Sequence, residues 1–81
     1  MDPVPTSFTA VIDLWPTIAS FALDIGEPYE NARQWRLNDS IPGRAFAAIV
    51  RAADARNKPV THELLCGFAE AKHAARQAGM A

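Results

Sequence analysis

Residues that halt a helix recur at short intervals along this chain: Pro16, then Gly26 with Pro28, then Asn38, Asp39 and Ser40 with Pro42, then Asn57, Lys58 and Pro59. No long helix survives such punctuation, because proline lacks the amide and clashes with the preceding turn, while glycine and the Asn/Asp cluster favour turns. The intervals between these breaks carry helix-starting signals. Ser7 caps a first helix over 8–15, with Val11, Ile12, Leu14 and Trp15 as its apolar candidates. Thr17 caps a second over 18–25, where Ile18, Phe21, Ala22 and Ile25 recur at helical spacing. Pro28 opens a third over 28–37, Pro42 a fourth over 42–56, and Thr61 caps a fifth over 62–77, before Gly79. No sustained alternation of period two and no Asn-Gly hairpin is present. The pattern predicts an all-α, compact five-helix bundle, with residues 1–81 as a single domain.

The second and third helices are the informative pair. Ala22 offers a small residue where two helices can cross closely, Gly26 a turn that tolerates positive φ, and Ala32 with Trp35 an inward pair. Together these meet the mechanical needs of a helix-turn-helix over about 17–37. At about 100° per residue, Ala32 and Trp35 centre the buried side of the third helix. Glu30, Arg33, Gln34 and Leu37 then lie opposite, with Tyr29 and Arg36 on one flank and Asn31 nearer the other. Arg suits guanine O6/N7, Gln suits adenine, Glu suits cytosine N4, and Tyr suits a phosphate or a thymine methyl. The same residues also fit an ordinary solvated face, with Glu30 reaching Arg33 at i,i+3 or Gln34 at i,i+4.

Charge is unevenly placed. The formal total is −1, yet residues 1–30 hold Asp2, Asp13, Asp24, Glu27 and Glu30 with no Lys or Arg, a charge of −5. Residues 31–58 hold Arg33, Arg36, Arg44, Arg51, Arg56 and Lys58 against Asp39 and Asp54, a charge of +4. A near-neutral total of this kind is compatible with a local anion-binding surface.

The ordered set LWPTIASFALDIG, ARQWRLNDSIP, AFAAIVRAA and PVTHELL, covering about residues 10–65, resembles the Cro/CI-type helix-turn-helix regulators of phages and prophage-derived elements. In particular it is similar to small Cro-like proteins of the YdaS type. The resemblance implies a lambda repressor-like DNA-binding fold with a recognition helix at 29–37. It makes Tyr29, Glu30 and Gln34 base readers, with Arg33 reading a base or gripping phosphate. It implies that Thr17 and its helix N-terminus clamp the backbone, and that Asn31, Arg36, Asn38 and Arg44 meet phosphates. Two positions depart from the family pattern: Glu27 stands where Val often follows the turn Gly, and Pro28 where Ser often caps the recognition helix. Glu27 puts a charge near the expected DNA surface.

The remaining helices read mainly as core. Phe46, Ile49, Val50 and Ala53 share a face of the fourth, and Arg44 and Arg51 lie on another, either phosphate-facing or solvated. Leu64, Phe68, Ala71 and Ala75 form a stripe on the fifth, flanked by Leu65. Its Ala-rich second half fits packing against a second subunit or a frayed end. His62, His73 and Cys66 have no recognised metal-ligand spacing, and one cysteine excludes an internal disulfide. No catalytic arrangement and no Gly-rich phosphate loop stands out, so neither an enzyme nor a cofactor is expected. The opening MDPVPTS has no basic segment of a secretory signal, and no apolar run approaches the roughly 20 residues that span a bilayer. The expectation is a cytoplasmic DNA-binding repressor acting as a homodimer on a pseudo-palindromic operator. The alternative is a protein-interaction module, such as an anti-repressor or regulatory partner, on the same fold.

Overall fold

The computed structural model describes residues 4–80, with side chains through Ala74. It is all-helical: α1 (Phe8–Ile12), α2 (Ile18–Ile25), α3 (Tyr29–Asn38), a 3₁₀ turn (Gly43–Ala45), α4 (Phe46–Ala55) and α5 (His62–Met80). No strand occurs among the described residues, and none of the helices is long and apolar enough to cross a membrane.

The three predicted Ser/Thr caps form local hydrogen bonds. Ser7 Oγ accepts from Ala10 N–H at 3.1 Å, Thr17 Oγ1 from Ser20 N–H at 3.0 Å, and Thr61 Oγ1 from Leu64 N–H at 3.1 Å. The ends of α2, α3 and α4 share one device. After α2, Gly26 adopts a φ of 74°, and its N–H and that of Glu27 bond back to Leu23 and Ala22 carbonyls at 3.3 and 3.0 Å. After α3, Asp39 takes the same left-handed role at φ 49°, with Ser40 N–H bonding Trp35 C=O at 3.0 Å. After α4, Asn57 does so at φ 56°, with Lys58 N–H bonding Ala53 C=O at 2.8 Å. Each is a Schellman termination, which supplies partners for carbonyls the helix leaves open.

Several boundaries differ from those read in the sequence; α5, expected to end at residue 77 before Gly79, continues through Gly79 to Met80. Helix α1 ends at Ile12, not at residue 15, because Leu14 and Trp15 close shorter turns onto Val11 and Ile12 carbonyls. The residue before a proline is driven from helical geometry, and this bend at Trp15 turns its indole inward against Phe21, 5.0 Å between centroids. Pro28 is the residue before α3, not its first turn. Pro42 leads into the 3₁₀ turn, and α4 begins only at Phe46.

The core gathers Phe8, Val11, Ile12, Trp15, Phe21, Ile49 and Leu65 with the small residues Ala22, Ala32, Ala45 and Ala53. Burying each large side chain contributes about 1.5–3 kcal/mol. Phe8, absent from the apolar candidates of the first helix, is buried in the core, stacked on Phe46 at 6.0 Å and against the edge of Phe68 at 5.5 Å. On α5 the inward residue is Leu65, fully buried, with Leu64 and Phe68 half-buried and Ala71 exposed. The predicted stripe is thus rotated by about one residue, and Ala75 lies outside the described side chains. Ala69, Glu70, Ala71, His73 and Ala74 are exposed, so this part of α5 adds little to the core.

Candidate functional site

Helix α3 crosses α2 with Ala32 fully buried and Ala22 nearly so. Two small residues on facing helices let the backbones approach closely, and that fixes which side of α3 faces outward. Tyr29, Glu30, Arg33, Gln34, Leu37 and Asn38 are all exposed. The four residues expected to read bases therefore share one solvent-facing surface, where Arg33 Nη1 lies 3.6 Å from Glu30 Oε2. Trp35 is half-buried, and the Arg44 guanidinium covers its ring at 5.7 Å.

The residues expected to meet phosphate are not gathered in one place. Thr17 forms a capping box with Ser20 at the exposed start of α2. Asn38 ends α3 and faces solvent. Arg36 is directed at α1, where its Nε and Nη2 donate to Asp13 at 2.8 and 3.3 Å; the Asp13 carboxylate holds the arginine's proton more tightly than usual. Asn31 and Arg44 both donate to Glu27: Asn31 Nδ2 to Oε2 at 3.2 Å, and Arg44 Nη1 to Oε1.

The acidic first third and the basic middle are in fact interleaved. Asp13 takes Arg36, Asp24 takes Arg56, and Glu27 takes Arg44. Asp24 also accepts from Trp15 Nε1 at 2.7 Å. The bond from Arg56, then that from Trp15, holds the Asp24 carboxyl below its usual value; those from Arg44 and Asn31 do the same for Glu27. Arg51 stands in no ion pair with a described residue.

Two features escaped the sequence. Asp39 Oδ1 accepts from Thr9 N–H at 2.9 Å, while Thr9 Oγ1 donates to Arg36 C=O at 2.9 Å, which locks the end of α3 onto the start of α1. No local signal marks a contact thirty residues apart. Glu27 was visible as a departure, and its i,i+4 spacing to Asn31 could have exposed half of its role.

Elsewhere, His62 Nδ1 lies 3.5 Å from Cys66 Sγ, one turn apart on α5. No group of three or more His, Cys, Asp or Glu converges among the described residues. An open groove where the segment after α4 meets the start of α5 is lined mainly by Val50, Arg51, Asp54, Val60 and His62. No protein-family model, curated protein or solved structure matches this chain.

Proposed function

We propose that this chain is a sequence-specific DNA-binding transcriptional regulator of the helix-turn-helix type. In this reading α2 rests on the DNA backbone and α3 enters the major groove, as a repressor of phage- or prophage-type genes. Two copies form a homodimer that places α3 in successive grooves of a pseudo-palindromic operator in the cytoplasm. The observation that carries the reading is the outward surface of α3. Tyr29, Glu30, Arg33 and Gln34 lie exposed within its first two turns, behind a buried Ala32 that seats the helix against α2. Base edges need this mixture of donors and acceptors on a rigid element. Thr17 and the start of α2, with Asn31, Asn38 and Arg44, supply backbone contacts; Arg36, held by Asp13, serves chiefly to orient α3.

Selection of bound sequences from a random DNA library tests the proposal. The parent protein should enrich one motif at low salt, and Arg33→Ala/Gln34→Ala should lose it. Failure of the parent to enrich any motif ends the reading, and an unchanged motif with the double variant removes these residues from it.

One set of observations favours a second reading, a protein-interaction module. Leu23 is 82% exposed, Leu37 61% and Tyr29 50%, all on the α2–α3 pair, and most of the nearby arginines are already matched by carboxylates. A steep loss of duplex affinity with salt supports the DNA reader, because phosphate contacts release counterions. Binding to duplex that ignores salt, or no binding, supports the protein partner.

A further inference from the structure

Asn31 and Arg44 come from different elements, one in the first turn of α3 and the other in the 3₁₀ turn, yet they converge on a single carboxylate. Each donor takes its own oxygen of Glu27. The base of that side chain is fixed, because Glu27 N–H closes the Schellman turn on Ala22 C=O at 3.0 Å and Pro28 follows. The Glu27 side chain is only 15% exposed, while that of Arg44 is 61% exposed. Pro28 precedes α3, and no side chain caps the helix start.

An amide donor and a guanidinium from two different elements around one anion have the chemistry of a phosphate site. We propose that the space between the Asn31 amide and the Arg44 guanidinium is a phosphate-binding site, and that Glu27 occupies it as an internal surrogate. The identity of the phosphate rests on the DNA reading above: it belongs to the duplex backbone, and Glu27 must yield its two donors before that contact forms. A carboxylate paired with a largely exposed arginine is held weakly enough for exchange. The device lowers affinity for DNA of any sequence and leaves discrimination to the base-facing residues of α3, a case of specificity gained by a built-in competitor.

Two measurements on the full chain test this. The first follows binding to a random-sequence duplex across a salt series. Glu27→Ala should bind about fivefold tighter than the parent and add about 0.9 to the salt slope, the signature of one further phosphate contact. Adding Arg44→Ala to that variant should abolish both changes. A gain that persists without Arg44, or an unchanged slope, overturns the proposal, because simple removal of a negative charge would then account for it.

The second uses inorganic phosphate alone and isotope-labelled protein. The Asn31 side-chain amide and Arg44 Nε–H resonances should shift with phosphate in Glu27→Ala and stay still in the parent. No shift in the variant, or equal shifts in both, also overturns it. If phosphate moves these resonances while no form binds duplex, the anion site stands and the DNA reading falls. Should Glu27→Ala fail to fold, Glu27→Gln keeps the side-chain size, removes the charge and carries the same expectations.

Discussion

The two ends of α3 are held by different kinds of bond. At the C-terminal end, Asp39 sits in a left-handed conformation and caps the start of α1, Thr9 returns a hydrogen bond to the Arg36 carbonyl, and Arg36 pairs with Asp13. Two of these groups, Thr9 N–H and Arg36 C=O, belong to the backbone at helix ends, where the helix leaves its own donors and acceptors open. At the N-terminal end, Pro28 provides no cap, and the surroundings are side chains: Glu27 with Asn31 and Arg44, and an exposed Tyr29. Those bonds can be traded for bonds to water or a ligand at little cost. The Asp39 end of α3 is thus tied to α1 partly through backbone groups, whereas around its Tyr29 end the exchangeable bonds are those of side chains, beside the buried Ala32 that seats the helix on α2.

The largest way to break this contrast is to remove the platform under the locked end. Phe8→Ala should destabilise the fold by about 3–5 kcal/mol in urea unfolding, since Phe8 is buried between Phe46 and Phe68. A loss under about 1 kcal/mol would mean that α1 is not the base on which α3 rests.

A sharper comparison sets Asp39 against Glu27. Asp39→Ala loses the bond to Thr9 N–H and forces a Cβ-bearing residue without a polar group into φ 49°, for a combined cost of about 2 kcal/mol. Asp39→Asn keeps both an acceptor and a tolerance for that conformation and should lose less than half as much. Glu27→Ala removes only ion-pair and side-chain bonds and should cost no more than about 1 kcal/mol. Equal losses for Asp39→Ala and Glu27→Ala would erase the distinction between the two ends.

The smallest effect is in acid. Asp24 and Glu27 have carboxyl groups held below their ordinary values of 3.8 and 4.5 by their arginine partners and by Trp15 and Asn31 respectively. A depressed carboxyl stabilises the fold fully above its unfolded value and loses that contribution as pH falls through the folded one. Stability should accordingly stay level from neutrality to about pH 5 and decline below about pH 4. Asp24→Asn should flatten part of that decline in thermal unfolding followed against pH; an unaltered decline would show that other carboxylates govern it.

Much of the helical layout was legible because its signals are local. Ser7, Thr17 and Thr61 cap helices through bonds that span three residues, and Gly26 ends α2 by the conformation only glycine adopts freely. The outward side of α3 was legible for the same reason, as helical periodicity orients Ala32 against Glu30, Arg33 and Gln34 once the helix forms. Charge was legible only as blocks. The −5 third and the +4 middle suggested a basic patch with acidic flanks, whereas folding threads Asp13, Asp24 and Glu27 among Arg36, Arg56 and Arg44.

The sequence by itself determined that the described residues form an all-helical fold, that Ser7, Thr17 and Thr61 cap α1, α2 and α5, that Gly26 ends α2, and which side of α3 faces outward, because those properties depend on residues within a turn or two of one another. Only the tertiary structure decided which charges meet, that Asp39 caps a helix thirty residues earlier, and that Asn31 and Arg44 converge on Glu27. Such pairings depend on how helices cross, and the crossing is set by the joint packing of Ala22, Ala32, Phe8 and Trp15, which no single segment contains.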